Sequence, residues 1–196
     1  MIYQNDIFFH WLAYIVRENR SQYAILSLLR LGPMSGYDIK TACESLFSHF
    51  WSESFGSIYP VLNKLENSQQ VLSKKDDEQT GSRNRRVYQI TSVGRKALRD
   101  WLSKPPVQRS LRDELYLKLF NATFVSTEVH RSHIEQLQTQ LRALKQDLAK
   151  HMRELKAQHS ASPDFTHWRL VVRAGQLSCD ARLKWCREAL AELSDQ

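Results

Sequence analysis

The sequence predicts a mainly α-helical protein with one small β-hairpin, in which a compact first half precedes a long antiparallel pair of helices. Two observations lead to this fold class. Short helical stripes and two β-branched runs alternate before Lys104, whereas every apolar pattern after it has a helical period. Between the halves stands Ser103-Lys104-Pro105-Pro106, where two prolines end any helix and stiffen a short connector.

The composition is that of a globular chain with an anionic partner. Apolar residues make up 42% of the 196 residues and charged residues 25%, and the formal net charge is +7. This basic excess favours nucleic acid as the partner. The three cysteines, Cys43, Cys179 and Cys186, are too few and too scattered for a disulfide framework, so we expect a reducing, cytoplasmic setting.

Residues 1–20 are predicted to form a helical extension ahead of the first domain. Apolar side chains between Ile7 and Val16 cover most of a helix surface, so such a helix requires burial on several sides. The segment is too short to span a bilayer and contains His10. We expect a core or subunit-interface helix that includes Trp11 and no membrane partner; a membrane anchor is the alternative.

Three helices are predicted at the start of the next region. The first helix, Gln22 to Arg30, stops at Gly32-Pro33. Ser35 is expected to be the N-cap of the second helix. A third helix is predicted from about Gly56 to Asn67, with Pro60 in its first turn or so, because apolar residues recur at helical spacing: Ile58, Val61, Leu62 and Leu65.

A hairpin and a fourth helix follow. Gln70 to Lys75 and Arg85 to Thr91 are short runs with β-branched or aromatic residues, and the polar stretch between them predicts a long hairpin loop. Thr91 is expected to cap the fourth helix, which runs to about Leu102. This order of elements makes residues 21–104 a winged helix-turn-helix domain, whose third helix enters the major groove of DNA.

Polar and basic side chains occur where such a domain contacts DNA. The third helix offers donors and acceptors beside its apolar stripe, and the hairpin carries a basic run. The predicted DNA-binding residues are Ser35, Tyr37, Ser57, Tyr59, Asn63, Lys64, Lys74, Lys75, Arg83, Arg85 and Arg86. The alternatives are a solvated hairpin tip for the basic run and structural packing of Tyr59 against the wing.

Several of these segments together resemble the PadR family of transcriptional regulators. The resemblance rests on the runs Leu31 to Ile39, Gly56 to Leu62 and Arg85 to Thr91, with Phe50-Trp51 between the first two. It implies that Tyr59, in the Gly-Ser-Ile-Tyr-Pro motif, is a DNA-contacting position. Gln69 departs from the family pattern, which usually has a glycine there to end the third helix in a left-handed conformation.

After the two prolines, residues 107–196 are predicted to form a helical dimerisation domain. A helix from Thr127 to His159 carries a heptad stripe, and a second helix follows with Ser162 as cap and Pro163 in the first position. We expect that one chain cannot bury so long a stripe alone and that two chains form a four-helix core; an intramolecular hairpin is the alternative. The predicted dimerisation residues are Trp11, Leu137, Leu141, Leu144, Leu148, Trp168, Val172, Leu183 and Leu190.

The second half also resembles the longer PadR subfamily, typified by the virulence activator AphA. The similar stretches are Leu111 to Leu115, Lys118-Leu119 and the ending from Trp185 to Leu193. This resemblance implies a homodimer built from exchanged long helices. Some PadR regulators bind flat aromatic ligands between tryptophans at the dimer interface, so Trp168 and Trp185 form either a ligand platform or ordinary core.

Neither a catalytic nor a metal-binding pattern is visible in the sequence. It shows no nucleophile-and-base pair, P-loop or glycine-rich nucleotide loop, so we expect neither an enzyme nor a cofactor. His130 and His133 could share a helix face, but further ligands at suitable spacing are lacking and no metal is expected. The predicted function is sequence-specific regulation of transcription by a homodimer on double-stranded DNA. The alternative is a repressor controlled by a small aromatic ligand.

Overall fold

The computed structural model describes residues 20–47, 50–51, 55–75, 86–107 and 113–194. The chain forms two compact units, and the division falls between Val107 and Gln108. The predicted extension over residues 1–20, with Trp11, lies outside the described residues except for Arg20. No helix within the described ranges is both long enough and apolar enough to cross a bilayer.

The first unit combines helices with a small antiparallel sheet. Its elements are α1 (Ser21–Leu29), β1 (Met34–Ser35), α2 (Gly36–Ala42), a π-helical turn (Cys43–Phe47), α3 (Phe55–Asn67), β2 (Val71–Lys75), β3 (Arg86–Ile90) and α4 (Ser92–Leu102). The strands are ordered β1-β3-β2. The predicted helices and hairpin are confirmed, and β1 is an addition, since two residues are too few to show an alternating pattern.

The apolar stripe of α3 lies in the centre of this unit. Its members, which pack with buried residues of α1, the sheet and α4, are Ile58, Val61, Leu62 and Leu65. The helix begins at Phe55 and carries Pro60 in its second turn, further in than the sequence predicts. Because a stripe at this spacing occupies one side of a helix, the opposite side of α3 faces outward.

The end of α3 has at Gln69 the left-handed geometry that the family pattern gives to a glycine. This residue has a φ of 58°, in the left-handed region. Its backbone N–H donates to the Glu66 carbonyl at 2.9 Å, and the N–H of Gln70 donates to the Leu65 carbonyl at 2.8 Å. These two bonds form a Schellman motif, so a glutamine occupies the position that glycine usually takes.

The start of α4 is fixed against the same turn. Thr91 is the predicted N-cap, and its hydroxyl accepts from the Gly94 N–H at 3.1 Å while donating to the Gln69 carbonyl at 2.7 Å. A Cβ built on Gly94 would lie 2.1 Å from the carbonyl oxygen of Gln70. The close approach therefore requires glycine, and it holds α4 against the connection from α3 to β2.

The second unit is a long helical hairpin with a short helix ahead of it. Its elements are α5 (Glu114–Phe120), a 3₁₀ turn (Ala122–Phe124), α6 (Thr127–His159) and α7 (Phe165–Glu192). The N-cap of α7 is Asp164, so this helix begins later than the predicted Pro163. Asp113 caps α5 and accepts from Arg182 of α7 at 2.9 Å, which ties the short helix to the hairpin.

Four of the six residues of the α6 heptad stripe are buried within one chain. Ion pairing of Lys145 with Asp180, and a 2.6 Å hydrogen bond from Arg131 to Ser194, show that α7 runs back along α6. The buried core residues are Ile134, Leu141, Leu148 and Leu155 from α6, and Val172, Cys179, Leu183 and Cys186 from α7. Leu137 and Leu144 of the stripe are only partly buried, so the intramolecular hairpin given as the alternative is present, while further coverage by a second chain stays a prediction.

We predict that Gln69→Gly raises the free energy of unfolding of the first unit by about 1 kcal/mol, because glycine adopts positive φ without the Cβ penalty. Native-state hydrogen exchange at the α3 amides measures this unit alone. The control is Lys64→Gly, within the same helix at ordinary helical angles, which we expect to lower stability by about 1 kcal/mol. The prediction would be contradicted if both substitutions raised, or both lowered, the free energy of unfolding.

Candidate nucleic-acid interface

The N-terminus of α2 is organised by Ser35, which forms a capping box with Asp38. The Asp38 N–H donates to the Ser35 hydroxyl oxygen at 3.2 Å, and the Ser35 N–H and hydroxyl both donate to the Asp38 carboxylate at 2.9 and 2.8 Å. Ser35 is only 4% exposed. The predicted DNA contact of Ser35 is therefore corrected, since its hydroxyl is buried and already bonded within the protein.

Tyr59 of α3 joins this N-terminus to the outward face of α3. A Cβ added to Gly36 would lie 2.8 Å from the Cε1 atom of Tyr59, so the ring packs directly on that glycine. Half of Tyr59 remains exposed, and the neighbouring Tyr37 is 66% exposed. The two tyrosines are thus exposed on elements that contact each other through Gly36.

The remaining predicted residues of α3 lie beside its buried stripe. Asn63 and Lys64 are exposed, whereas the side chain of Ser57 lies outside the described part. Asn63 stands one turn after Tyr59 on the same side of the helix. The outward face of α3 therefore offers an aromatic hydroxyl, an amide and an ammonium group.

The wing is described in part. Lys74 of β2 is exposed, Lys75 is described only in its backbone, and Arg83 and Arg85 lie outside the described residues. Residues 76–85 connect β2 to β3, which pair with Lys75 opposite Arg86. The basic residues predicted for the wing thus occur at the loop end of the hairpin.

Arg86 differs from a free surface cation. Its Nη2 atom lies 3.0 and 3.1 Å from the two carboxylate oxygens of Glu66, and the same atom donates to the Ser73 hydroxyl at 2.6 Å. Ser73 in turn donates to Glu66 at 2.6 Å. This Glu66–Ser73–Arg86 cluster joins α3, β2 and β3.

Glu66 and Ser73 are not among the site residues predicted from the sequence, although both belong to this cluster. One signal was available, because an acidic residue in the last turn of a helix faces the negative end of the helix dipole and is favoured there only with a cationic partner. Tyr88 lies beside the cluster, with the Arg86 guanidinium 5.8 Å from its ring centroid. Burial raises the pKa of Tyr88, and the charge of Arg86 opposes that rise.

The predicted dimerisation residues do not form a free surface in the second unit. Leu141, Leu148, Val172 and Leu183 are buried in the hairpin, and four more are partly buried against it: Leu137, Leu144, Trp168 and Leu190. The apolar side chains that this unit exposes lie elsewhere. They include Leu117, Phe120 and Phe124 around the end of α5, and Leu170, Val171 and Leu177 on α7.

His130 and His133, together with the two tryptophans of this unit, lie among packed side chains. The rings of His130 and His133 have centroids 6.5 Å apart, and the described ranges contain no cluster of His, Cys, Asp or Glu that could hold a metal ion. Trp185 contacts Tyr116 edge to face at 5.4 Å. Both Trp168 and Trp185 pack against the hairpin core.

Two family models match the chain in succession. The model of the transcriptional regulator PadR-like family matches residues 25–100, and that of the virulence activator α C-terminal family matches residues 111–194. The negative transcriptional regulator PadR of Bacillus subtilis is 30% identical over 158 residues, which cover 78% of this chain and 86% of that protein.

Solved structures of two such relatives have a similar fold. The structure of Bacillus subtilis PadR with operator DNA has a TM-score of 0.77 at 29% identity, covering 89% of this chain and 98% of that chain. The structure of Bacillus subtilis PadR with p-coumaric acid has a TM-score of 0.67 at 28% identity, covering 89% of this chain and 96% of that chain. The structure of the virulence activator AphA of Vibrio cholerae has a TM-score of 0.65 at 28% identity, covering 89% of this chain and 98% of that chain.

We predict that Ser35→Ala lowers the free energy of unfolding of the first unit by about 1 kcal/mol, because the capping box loses its acceptor. Ser35→Thr is the control, since a threonine hydroxyl both accepts from the Asp38 N–H and donates to the Asp38 carboxylate, and it is expected to recover most of the loss. Hydrogen exchange at the α2 amides provides the measurement. Unchanged exchange in Ser35→Ala would contradict the stabilising role of this cap.

Proposed function

Since the chain belongs to the PadR family of transcriptional regulators, which are not enzymes, we propose that it binds double-stranded DNA sequence-specifically as a homodimer. Residues 21–104 are the DNA-binding domain and residues 107–196 the dimerisation domain. The observation that carries this proposal is the outward face of α3, where Tyr59, Asn63 and Lys64 stand opposite the buried stripe.

We infer that α3 is the recognition helix. Helices of this class present exposed side chains to base edges in the major groove. Asn63 can read adenine through two hydrogen bonds, while the Tyr59 hydroxyl reaches a phosphate. Tyr37 and Lys64 add backbone contacts from α2 and α3. The operator complex of the Bacillus subtilis relative supports DNA binding by this fold.

The wing completes the proposed interface with sequence-independent contacts. Lys74, together with Lys75, Arg83 and Arg85 at the loop end, supplies cations for phosphate oxygens. Ser57 stands at the start of the recognition helix, where a hydroxyl suits a phosphate or a base edge. In this division α3 determines which sequence is bound, and the wing determines how strongly the backbone is held.

Homodimerisation is proposed for a surface other than the heptad stripe. The side chains that the second unit leaves exposed, above all Phe120 at 86% and Phe124 at 85%, are large and aromatic. Apolar surface of this kind is typical of subunit contacts. The buried stripe residues support the interface only indirectly, because they hold α6 and α7 together.

A second candidate function is control of DNA affinity by a small aromatic ligand. The complex of Bacillus subtilis PadR with p-coumaric acid favours it. Titration of tryptophan fluorescence with p-coumaric acid distinguishes the two functions when Trp168→Phe and Trp185→Phe are compared with the wild type. The cytoplasmic setting remains a prediction, and all three cysteines are buried.

We predict that Asn63→Ala weakens binding to a duplex selected from a randomised library by about 1–3 kcal/mol, because bidentate base recognition is lost. Binding to a shuffled duplex of the same length should change little. Fluorescence anisotropy measures both affinities. Asn67→Ala, an exposed asparagine at the end of the same helix, is the matched control and should leave selectivity intact. Equal losses on both duplexes would contradict base reading by Asn63.

We predict a mass of about twice 23.0 kDa by light scattering for the full chain. Phe120→Asp should shift this mass towards the monomer without loss of helix content, because the side chain is exposed. Leu148→Asp, at a buried position, should instead lower the helix content by breaking the hairpin core. A wild-type chain that is monomeric at micromolar concentration would overturn the proposed homodimer.

A further inference from the structure

We propose that Arg86 is a positioning residue that holds the wing to the recognition helix through Glu66, instead of a residue that contacts DNA phosphate. This inference rests on the proposed DNA binding. It reassigns one member of the basic run and adds Glu66 and Ser73 to the residues on which the interface depends.

The contacts of the cluster link three separate elements. Glu66 lies in the last turn of α3, Ser73 in β2 and Arg86 at the start of β3. The guanidinium is directed at both carboxylate oxygens of Glu66, and its Nε and Nη2 atoms also donate to the Ser73 hydroxyl at 3.2 and 2.6 Å. Such an arrangement of planar donors fixes orientation as well as distance.

The place of the cluster determines what it can control. Arg86 is the first residue of β3 and pairs with Lys75, the last residue of β2, so it stands where the wing loop leaves the sheet. Glu66 and Arg86 are partly shielded, with side-chain exposures of 29% and 48%. A restraint at this point fixes β2 and β3 against α3, the helix that we infer reads the bases.

The charges explain why an acid is tolerated on a DNA-binding surface. An unpaired carboxylate beside DNA repels phosphate, whereas the guanidinium of Arg86 neutralises Glu66. The same pairing means that Arg86 adds little net positive charge to the wing. Phosphate contacts are then left to cations that are not members of this cluster, such as Lys74.

The two roles of Arg86 predict different changes in DNA affinity for the substitution Glu66→Gln. This substitution removes a negative charge from the interface. If Arg86 contacts phosphate, its release from Glu66 should leave DNA affinity unchanged or raise it. If Arg86 positions the wing, affinity for the selected duplex should fall several-fold despite the favourable change in charge. Asp100→Asn, which removes one negative charge from an exposed ion pair on α4, is the matched control and should not lower affinity.

A second pair of variants separates geometry from charge. Arg86→Lys keeps the cation but loses the planar donors, so we expect a several-fold loss that resembles that of Glu66→Gln. The exchanged pair, Glu66→Arg with Arg86→Glu, should recover part of the affinity lost by either single substitution. Retained affinity in Arg86→Lys together with raised affinity in Glu66→Gln would overturn the positioning role.

Hydrogen exchange of the β2 and β3 amides supplies a readout that needs no DNA. Exchange should quicken in Glu66→Gln and Arg86→Lys, and stay unchanged in Asp100→Asn. Unchanged exchange in the first two variants would overturn the restraint itself. A wild-type chain that binds no duplex from the library would overturn the proposed function, and the exchange data would then decide alone whether the cluster holds the wing.

Discussion

Burial of one side of α3 is the constraint on which the first unit depends. Ile58, Leu62 and Leu65 are almost completely removed from solvent, so rotation of the helix about its axis would expose apolar surface at a cost of about 1.5–3 kcal/mol per side chain. The direction of the outward side chains is therefore set by the buried stripe on the other side of the helix. The Schellman turn and the close approach of Gly94 fix the position of the C-terminal end of α3, because β2 starts after this turn and α4 packs against it.

The elements that sequence analysis predicts best are those whose pattern reports burial. The α3 stripe and the hairpin each follow from residue spacing. The left-handed position of Gln69 follows from the family resemblance, because the family usually has a glycine there. Partners are harder to predict than elements. A heptad stripe is the same whether the second helix comes from this chain or another, so the stripe alone could not identify α7 as its partner.

The same limit applies to the candidate interface. A basic run in a sequence shows how many charges are present but not what each one contacts. Arg86 contacts Glu66 because of the way β3 lies beside α3, and this placement exists only in the folded chain. Ser35 is a comparable case. Its two predicted roles, cap and DNA contact, compete for one hydroxyl, and the carboxylate of Asp38 three residues later decides between them.

The closed core of the α6–α7 hairpin has a consequence for assembly. A unit that covers most of its apolar stripe within one polypeptide is expected to fold before it meets another copy, so we expect folding and association to be separate steps. For a homodimeric regulator, dilution then yields folded single subunits instead of unfolded chains, and the share of paired molecules follows total protein concentration. Occupancy of a twofold site at low abundance would rise with the square of the amount synthesised, which makes expression level itself a control variable.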